Sequence, residues 1–489
     1  MKQYQKEVEQ YLLQTEQQTL KQIKADYTAA LKQVNQRIDE LTKEHEAHPE
    51  LIGKVYQRSY QEKLKKQLET ALAELPEKNL EHTTTYLQQS YQDAFIGANY
   101  STLREGYDLF LPYDTEKMIK AIYNSPAGFK ISGANYEGDI RVLRKKVQSA
   151  LSRGLASGMD YHSISQLAAS KLNMGYNNMR RIIATEGHRV QNEAKMDCMN
   201  DAKAAGADIV KEWSAVMDSK TRPRHSVLDG QVRELDEPFT AMGADVMYPG
   251  GFGIASEDIH CRCCLLQRSR RTLSEEKTRQ LKNYAAYRKE YIETSKRIGE
   301  IRVKTADGTK NVNAERLALL GAVGSSPKKV QDCLKDTSVE IGRIGASAYD
   351  YENDILYVAK NATREEIIHE IGHAIDAKLI DSEKRDTLLR KAVEGLTISD
   401  VSTEIYYDAS DNAEEICIVH SDRFISEYQG RIYVKSMENS LDEEQNIRVD
   451  CMLEYISEGY REYIVNGEHL KEADPELYSL LEEVMSDDR

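Results

Sequence analysis

Apolar residues recur at helical spacing through much of this chain, and the texture around them changes several times. In residues 8–41 they fall at Val8, Leu12, Leu31, Ile38 and Leu41, within a background of Gln, Glu, Lys and Tyr. Residues 60–75 repeat the pattern with Tyr60, Leu64, Leu68, Leu72 and Leu75. Pro76 then ends a helix, because proline lacks an N–H and crowds the preceding turn. The spacing predicts two long amphipathic helices, packed as a hairpin, in a helical region over residues 1–125. They read equally as ordinary surface helices or as an arm that docks a partner. His45-Glu46-Ala47-His48 only mimics a metal motif, since its histidines are three apart and Pro49 follows.

Residues 126–270 have a different rhythm. Helical spacing marks residues 139–155, 163–171 and a longer run at 177–194. Glu212-Trp213-Ser214-Ala215 follows, then a polar turn at 218–225. Asp229-Gly230 is a hairpin-turn signal, and Tyr248-Pro249-Gly250-Gly251 breaks the chain again. A charged helix opening at Leu273-Ser274-Glu275-Glu276 and running to Arg297 makes a connector over residues 271–300. Residues 301–489 begin with a strand at 301–303 and a turn at Asp307-Gly308. Helices at 315–320 and 327–334 come next, then a strand at 354–358. The fold class is multidomain α+β, rich in helix, with four regions: 1–125, 126–270, 271–300 and 301–489.

The fourth region carries the sharpest chemistry. His369-Glu370-Ile371-Gly372-His373 lies in a helical run whose isoleucines at 367, 368, 371 and 375 supply a buried stripe. Histidines four apart share one helix face, one turn apart, so both imidazoles can hold one Zn²⁺. Glu370 then lies beside the open position and can take a proton from a metal-bound water. The strand at 354–358 precedes the helix, and an edge strand can hold an extended peptide across the metal. A catalytic zinc takes a third protein ligand. Residues 453, 456, 460, 463 and 464 follow helical spacing, which puts Glu454 and Glu458 on one face. Glu454, Glu458 and Glu415 are the candidates.

The run Glu454-Tyr455-Ile456-Ser457-Glu458-Gly459-Tyr460-Arg461 resembles the second metal helix of zincin metallopeptidases of the anthrax lethal factor type. The resemblance implies Glu454 as third ligand and Glu458 in its support. It also implies an oxyanion-stabilising tyrosine shortly before the ligand: Tyr428 in Ser426-Glu427-Tyr428-Gln429-Gly430, with Tyr433 as runner-up. The gaps from Tyr428 and from His373 to Glu454 exceed the family's, so an insertion is required.

A second resemblance covers residues 180–264. Arg181 with Ala184, Thr185 and Glu186; Trp213, Asp218, Arg222 and His225; Leu228-Asp229-Gly230; Tyr248-Pro249-Gly250; and Cys261-Arg262-Cys263 stand in one order. That order resembles the Mu F-like head morphogenesis proteins, the minor head proteins of tailed phages. The resemblance implies a few copies in the virion, partnered by portal and capsid proteins, with a role in assembly or DNA delivery and no enzyme activity.

Composition narrows the function further. A net charge of −15 argues against a general nucleic-acid binder, though local basic patches can still touch packaged DNA. No stretch is apolar enough to span a bilayer, and the first residues lack the apolar core of a signal peptide. The expectation is synthesis in the host bacterial cytoplasm, a virion location and no membrane partner. Seven scattered cysteines fit a reduced compartment. His225, His260, Cys261, Cys263 and Cys264 form a candidate second metal cluster, although Cys-x-Cys is tight spacing for one tetrahedral ion.

Together these readings describe a phage minor head protein with a zinc metallopeptidase-like domain behind it, acting on a capsid or host protein. The rival is a purely structural head protein whose zincin domain is inactive or keeps zinc as a staple.

Overall fold

A stripe of buried residues explains the first helix of the computed structural model, which describes residues 1–55, 57–125, 131, 133–269, 283–407, 413–434 and 436–486. In α1 (Gln3–Ala47), Val8, Thr19, Ala30 and Leu41 are buried at intervals of 11, and Leu12, Ile23 and Val34 repeat the interval. Eleven residues in three turns is about 3.67 per turn, close to the α-helix itself, so one face stays inward along the whole length. That face packs on α3 (Leu75–Arg104) and α6 (Tyr161–Ala204). Between α1 and α3 lies α2 (Arg58–Ala71), so with α4 (Thr115–Tyr123) the described residues of 1–125 hold four α-helices rather than a two-helix hairpin. Pro76 sits in the first turn of α3, where a missing N–H costs nothing, and so it opens a helix as well as closing the one before.

The chain divides into two compact units. One comprises Met1–Tyr107 and Tyr113–Arg288, the other Asp108–Pro112 and Lys289–Arg489. The first unit continues with α4 (Thr115–Tyr123), α5 (Gly133–Ala156) and α6. Two helices expected at 163–171 and 177–194 are one helix of 44 residues. Gly175, in the stretch between the two expected helices, has a packing reason: a Cβ there would lie 2.8 Å from the Tyr27 ring and 2.9 Å from Leu143. A small sheet follows in the order β2-β1-β5, all antiparallel, from β1 (Ile209–Ser214), β2 (Val232–Arg233) and β5 (Cys264–Ser269). Helix α7 (Pro223–Leu228) intervenes between β1 and β2, so Asp229-Gly230 is not the centre of a tight hairpin. Strands β3 (Phe239–Ala241) and β4 (Ala244–Val246) form a separate pair, and α8 (Ala255–Asp258) precedes β5. The proposed start of the connector helix, residues 273–276, lies outside the described residues, and α9 (Tyr284–Ile298) is its described part.

In the second unit β6 (Val303–Thr305), β7 (Ser338–Arg343) and β9 (Ile355–Ala359) are parallel, and β8 (Ala348–Asp350) pairs antiparallel with β9. The order is β6-β7-β9-β8. Helices α10 (Asn313–Ser325) and α11 (Lys328–Cys333) link β6 to β7. The strand expected at 354–358 is therefore present but internal, and the edge belongs to β8, whose three residues are too few for periodicity to reveal. Helix α12 (Arg364–Leu379) follows, opened by a capping box between Thr363 and Glu366 and anchored by fully buried Ile367, Ile368, Ile371 and Ile375. After α13 (Ser382–Ala392) comes a second antiparallel sheet of β10 (Val401–Tyr407), β11 (Ala413–Val419) and β12 (Arg431–Ile432). The unit closes with α14 (Glu454–Ala473) and α15 (Pro475–Met485). Among the described residues, no helix is long and apolar enough to cross a membrane.

Candidate metal centre and head-protein module

Helix α12 turns His369 and His373 to one face, with ring centroids 5.1 Å apart and planes at 86°. Glu454, the first residue of α14, reaches both: its Oε2 lies 2.9 Å from His369 Nε2 and 3.3 Å from His373 Nε2. Glu370 also presents a carboxylate oxygen within 4.8 Å of both imidazoles. Of the two carboxylates, Glu454 is the one that touches both rings. Glu458, one turn further along α14, lies 3.1 Å from His369 Nδ1. It is held in turn by Arg461, at 2.8 and 3.1 Å, and by the Ser426 hydroxyl at 3.2 Å. Glu415 falls on β11, and its side chain lies outside the described residues.

Two imidazoles and a carboxylate are a zinc donor set. The far nitrogen of each ring is engaged as well, His369 Nδ1 by Glu458 and His373 Nδ1 by the Tyr351 hydroxyl at 2.8 Å. Such partners fix ring orientation and tautomer in metal sites. Burial disfavours charge on His369, but hydrogen bonds to Glu454 and Glu458 outweigh it and push its pKa up to about 9. Burial likewise works against Glu454, yet the two histidines hold its carboxyl well below the usual range. Glu458 is drawn down to about 2 against its burial, by His369 and Arg461. Glu370 moves the other way: burial raises its carboxyl, with the histidines opposing.

The tyrosines stand on the opposite wall. The Tyr433 hydroxyl donates to Glu454 Oε1 at 2.7 Å. The Tyr428 ring meets His369 edge-on at 5.3 Å and carries the Arg431 guanidinium 4.1 Å over its face. Burial, with the charge of Glu454, pushes the Tyr428 hydroxyl up to about 12. All of these groups line one cleft of about 680 Å³, whose far side is β8 with Ala348 and Tyr349. The long gap before Glu454 is taken up locally, by a short turn at Met437–Ser440, a bridge from Leu441 to Ile447 and another turn at Val449–Cys451. Tyr351, Ser426 and Arg461 were not singled out as site residues. Nothing in the spacing marks Tyr351, which reaches His373 across 22 residues.

The motif residues of the first unit converge on a separate small core. Trp213 is fully buried, with His225, Phe239 and Phe252 edge-on around it at 5.4–6.1 Å. Glu186 and Arg189 form a buried ion pair at 2.9 Å, with the Ser125 hydroxyl donating to Glu186 and Arg189 donating to the Ala121 carbonyl. Asp218 accepts a two-pronged pair from Arg262, 2.7 Å for each prong. Arg222 donates to the Ile259 carbonyl. Gly250, at φ +86°, lets the turn press on the Arg189 backbone. Of the five residues of the candidate cysteine–histidine cluster, His225, Cys261 and Cys263 come together. Cys264 points instead to Glu9 at 3.4 Å, and His260 is exposed.

Residues 145–266 match the family described as Phage Mu protein F like protein. They form a Mu F-like domain. The chain is also 25% identical over 267 residues to Minor head protein GP7 of Bacillus phage SPP1, covering 54% of this chain and 86% of that one. It is 31% identical over 185 residues to the NAD(+)–arginine ADP-ribosyltransferase EFV of Enterococcus faecalis, covering 37% of this chain and 38% of that one. The chain thus spans well under half the length of the second of these relatives. No solved structure is a significant match. The Mu F-like domain begins within α5 and ends in β5, so it takes in the Trp213 core and the cysteine–histidine cluster but not the α12–α14 cleft.

Proposed function

We propose that this chain is a phage minor head protein whose second unit is a zinc-dependent peptidase, acting on a protein of the phage head or of the host. The observation that carries the reading is the convergence of His369, His373 and Glu454 beside Glu370 in a cleft with a free strand edge. His369, His373 and Glu454 would hold a zinc ion, which would supply Lewis-acid chemistry to a carbonyl and a water. Glu370 would act as the general base that takes a proton from the attacking water and returns it to the leaving amine, and burial raises its carboxyl in the direction such a role needs. Among the described residues β8 is an edge strand of its sheet, the position at which an extended peptide can add. Tyr428 and Tyr433 line the cleft, and a tyrosine hydroxyl there would be a donor to the carbonyl oxygen as it gains charge. The likeness to Minor head protein GP7 supports portal and capsid proteins as partners and the virion as location. The partial likeness to a protein named as an ADP-ribosyltransferase supports an enzyme in such a chain, though for a different reaction.

The test is Glu370→Gln in the whole phage. Particles should assemble and keep their zinc, while one head or host protein stays uncleaved. If variant particles are as infectious as wild type and no cleavage product changes, the second unit is structural.

A further inference from the structure

Two cysteines and a histidine close around one point in the Mu F-like domain, and a second histidine lies against one of the thiols. Cys261 and Cys263 lie just before and at the mouth of β5, His225 on α7 and His188 on α6. Cys261, Cys263 and His225 are 2–5% exposed. His225 Nδ1 stands 3.3 Å from Cys263 Sγ and 3.7 Å from Cys261 Sγ, and the three ligand atoms lie within 4.8 Å of one another. The Cys261 thiol is in hydrogen-bond contact with Cys263, with His225 and with His188. Zn–S and Zn–N bonds of roughly 2.3 and 2.0–2.1 Å give a tetrahedron with S···N edges of roughly 3.6 Å. The two measured edges bracket that value.

We propose that His188, His225, Cys261 and Cys263 bind a structural Zn²⁺ that ties α6, α7 and the entry to β5 together. The site is closed, with four protein ligands and no position left for water, unlike the α12–α14 centre. Charge favours the ion. Two thiolates neutralise Zn²⁺ within the cluster, so the metal adds no net charge to a buried place. The surroundings already orient the ligands. His188 Nε2 donates to the Cys263 carbonyl at 2.5 Å, which fixes the ring beside the Cys261 thiol. His225 Nε2 stands 3.1 Å from Glu257 Oε2, off the line of a hydrogen bond, and a carboxylate there keeps the proton on Nε2 and frees Nδ1. Phe252 stacks on the His225 ring at 5.5 Å and helps hold its plane.

The tight Cys-x-Cys spacing is met by the backbone. His260 takes φ +56°, and the Cys261 N–H returns to the Asp258 carbonyl, so the chain turns sharply into the first thiol. His260 and Cys264 leave the set because the first faces solvent and the second lies against Glu9. His188 enters it from a helix 73 residues upstream of Cys261, which spacing alone does not link to the pair.

The test uses the full chain carrying Glu454→Ala, so that the α12–α14 centre does not contribute. Purified under reducing conditions, it should hold one zinc per chain. Replacing that zinc with Co²⁺ should give thiolate-to-metal charge-transfer absorption and the intense visible bands of a tetrahedral ion. Cys263→Ser should abolish both the charge transfer and the zinc. If that variant fails to fold, His188→Cys is the second probe, and it should keep the metal and strengthen the charge transfer by adding a third thiolate. A folded Glu454→Ala chain without metal overturns the proposal. So does Co²⁺ bound without charge transfer, or charge transfer that His188→Cys leaves unchanged. None of these readings depends on peptidase activity.

Discussion

Gly372 rides directly on the backbone of Ser457. A Cβ at Gly372 would lie 2.5 Å from Ser457 Cα and 2.8 Å from its carbonyl oxygen. Helices α12 and α14 therefore cross at van der Waals contact, and this crossing sets the distance between His369 and Glu454. Gly372→Ala must push the helices apart. The expected cost is about 1–3 kcal/mol of stability, with loss of the zinc that Glu454→Ala also removes. Calorimetry together with metal analysis of the full chain checks both. A variant with wild-type melting and wild-type zinc would show that the crossing does not set the site.

In the proposed zinc site Glu458 would act on the metal only through His369. Its Oε2 accepts from the ring nitrogen that faces away from Glu454, and Arg461 and Ser426 hold it there. Glu458→Gln keeps the shape and removes the charge that makes the imidazole a better ligand. Zinc affinity at the α12–α14 centre should fall roughly 10–100-fold. Chelator competition measures it. Affinity unchanged within error would reduce Glu458 to a buried ion-pair partner of Arg461.

The sequence carried the metal helix better than its surroundings. His369 and His373 share a face because helical spacing is local, and the isoleucine stripe fixes which face is buried. Periodicity puts Glu454 and Glu458 on one face of a second segment, the choice of Glu454 rests on the family resemblance, and only the chain's tertiary path brings it to the histidines across 85 residues. Strand β8, Tyr351 and His188 were invisible for the same reason in stronger form. A three-residue strand has no period to read, and a single tyrosine or histidine reaching across a fold has no local partner. The first unit shows the converse error. Pro76 reads as a helix end yet is a first-turn proline, and the gap expected between 171 and 177 is continuous helix with Gly175 at a close helix contact.

Asp93 is fully buried on α3, and Arg288 answers it with Nε at 2.7 Å from Oδ1. Burial raises the Asp93 carboxyl, with Arg288 pulling against it. Arg288→Met strands that carboxylate in the first unit. The expected loss is about 3–5 kcal/mol, read from denaturant unfolding of the first unit. Asp93→Asn in the same chain should recover most of it, since the stranded charge is then gone. Failure of the double variant to recover would place the loss in the contact of the Arg288 guanidinium with the face of the Tyr11 ring, 4.9 Å from its centroid.

Lys211 gives the first unit a pH dependence of known sign. The residue is 0% exposed on β1, with Nζ donating to the Leu235 and Met247 carbonyls at 3.0 and 3.2 Å, and burial pulls its pKa down from 10.5 to about 8. The unfolded chain therefore holds this proton more tightly than the folded one. The penalty of the buried ammonium is full below about pH 8, and it fades as pH rises from there towards 10.5. In that window the contribution of Lys211 makes the first unit more stable as pH rises. Lys211→Met has no such term. Denaturant unfolding of both chains at about pH 7.5 and about pH 9.5 should show wild type gaining on the variant at the higher value. A difference between the two chains that does not change with pH would mean that Lys211 titrates at its ordinary value, with the two carbonyls paying back the burial in full.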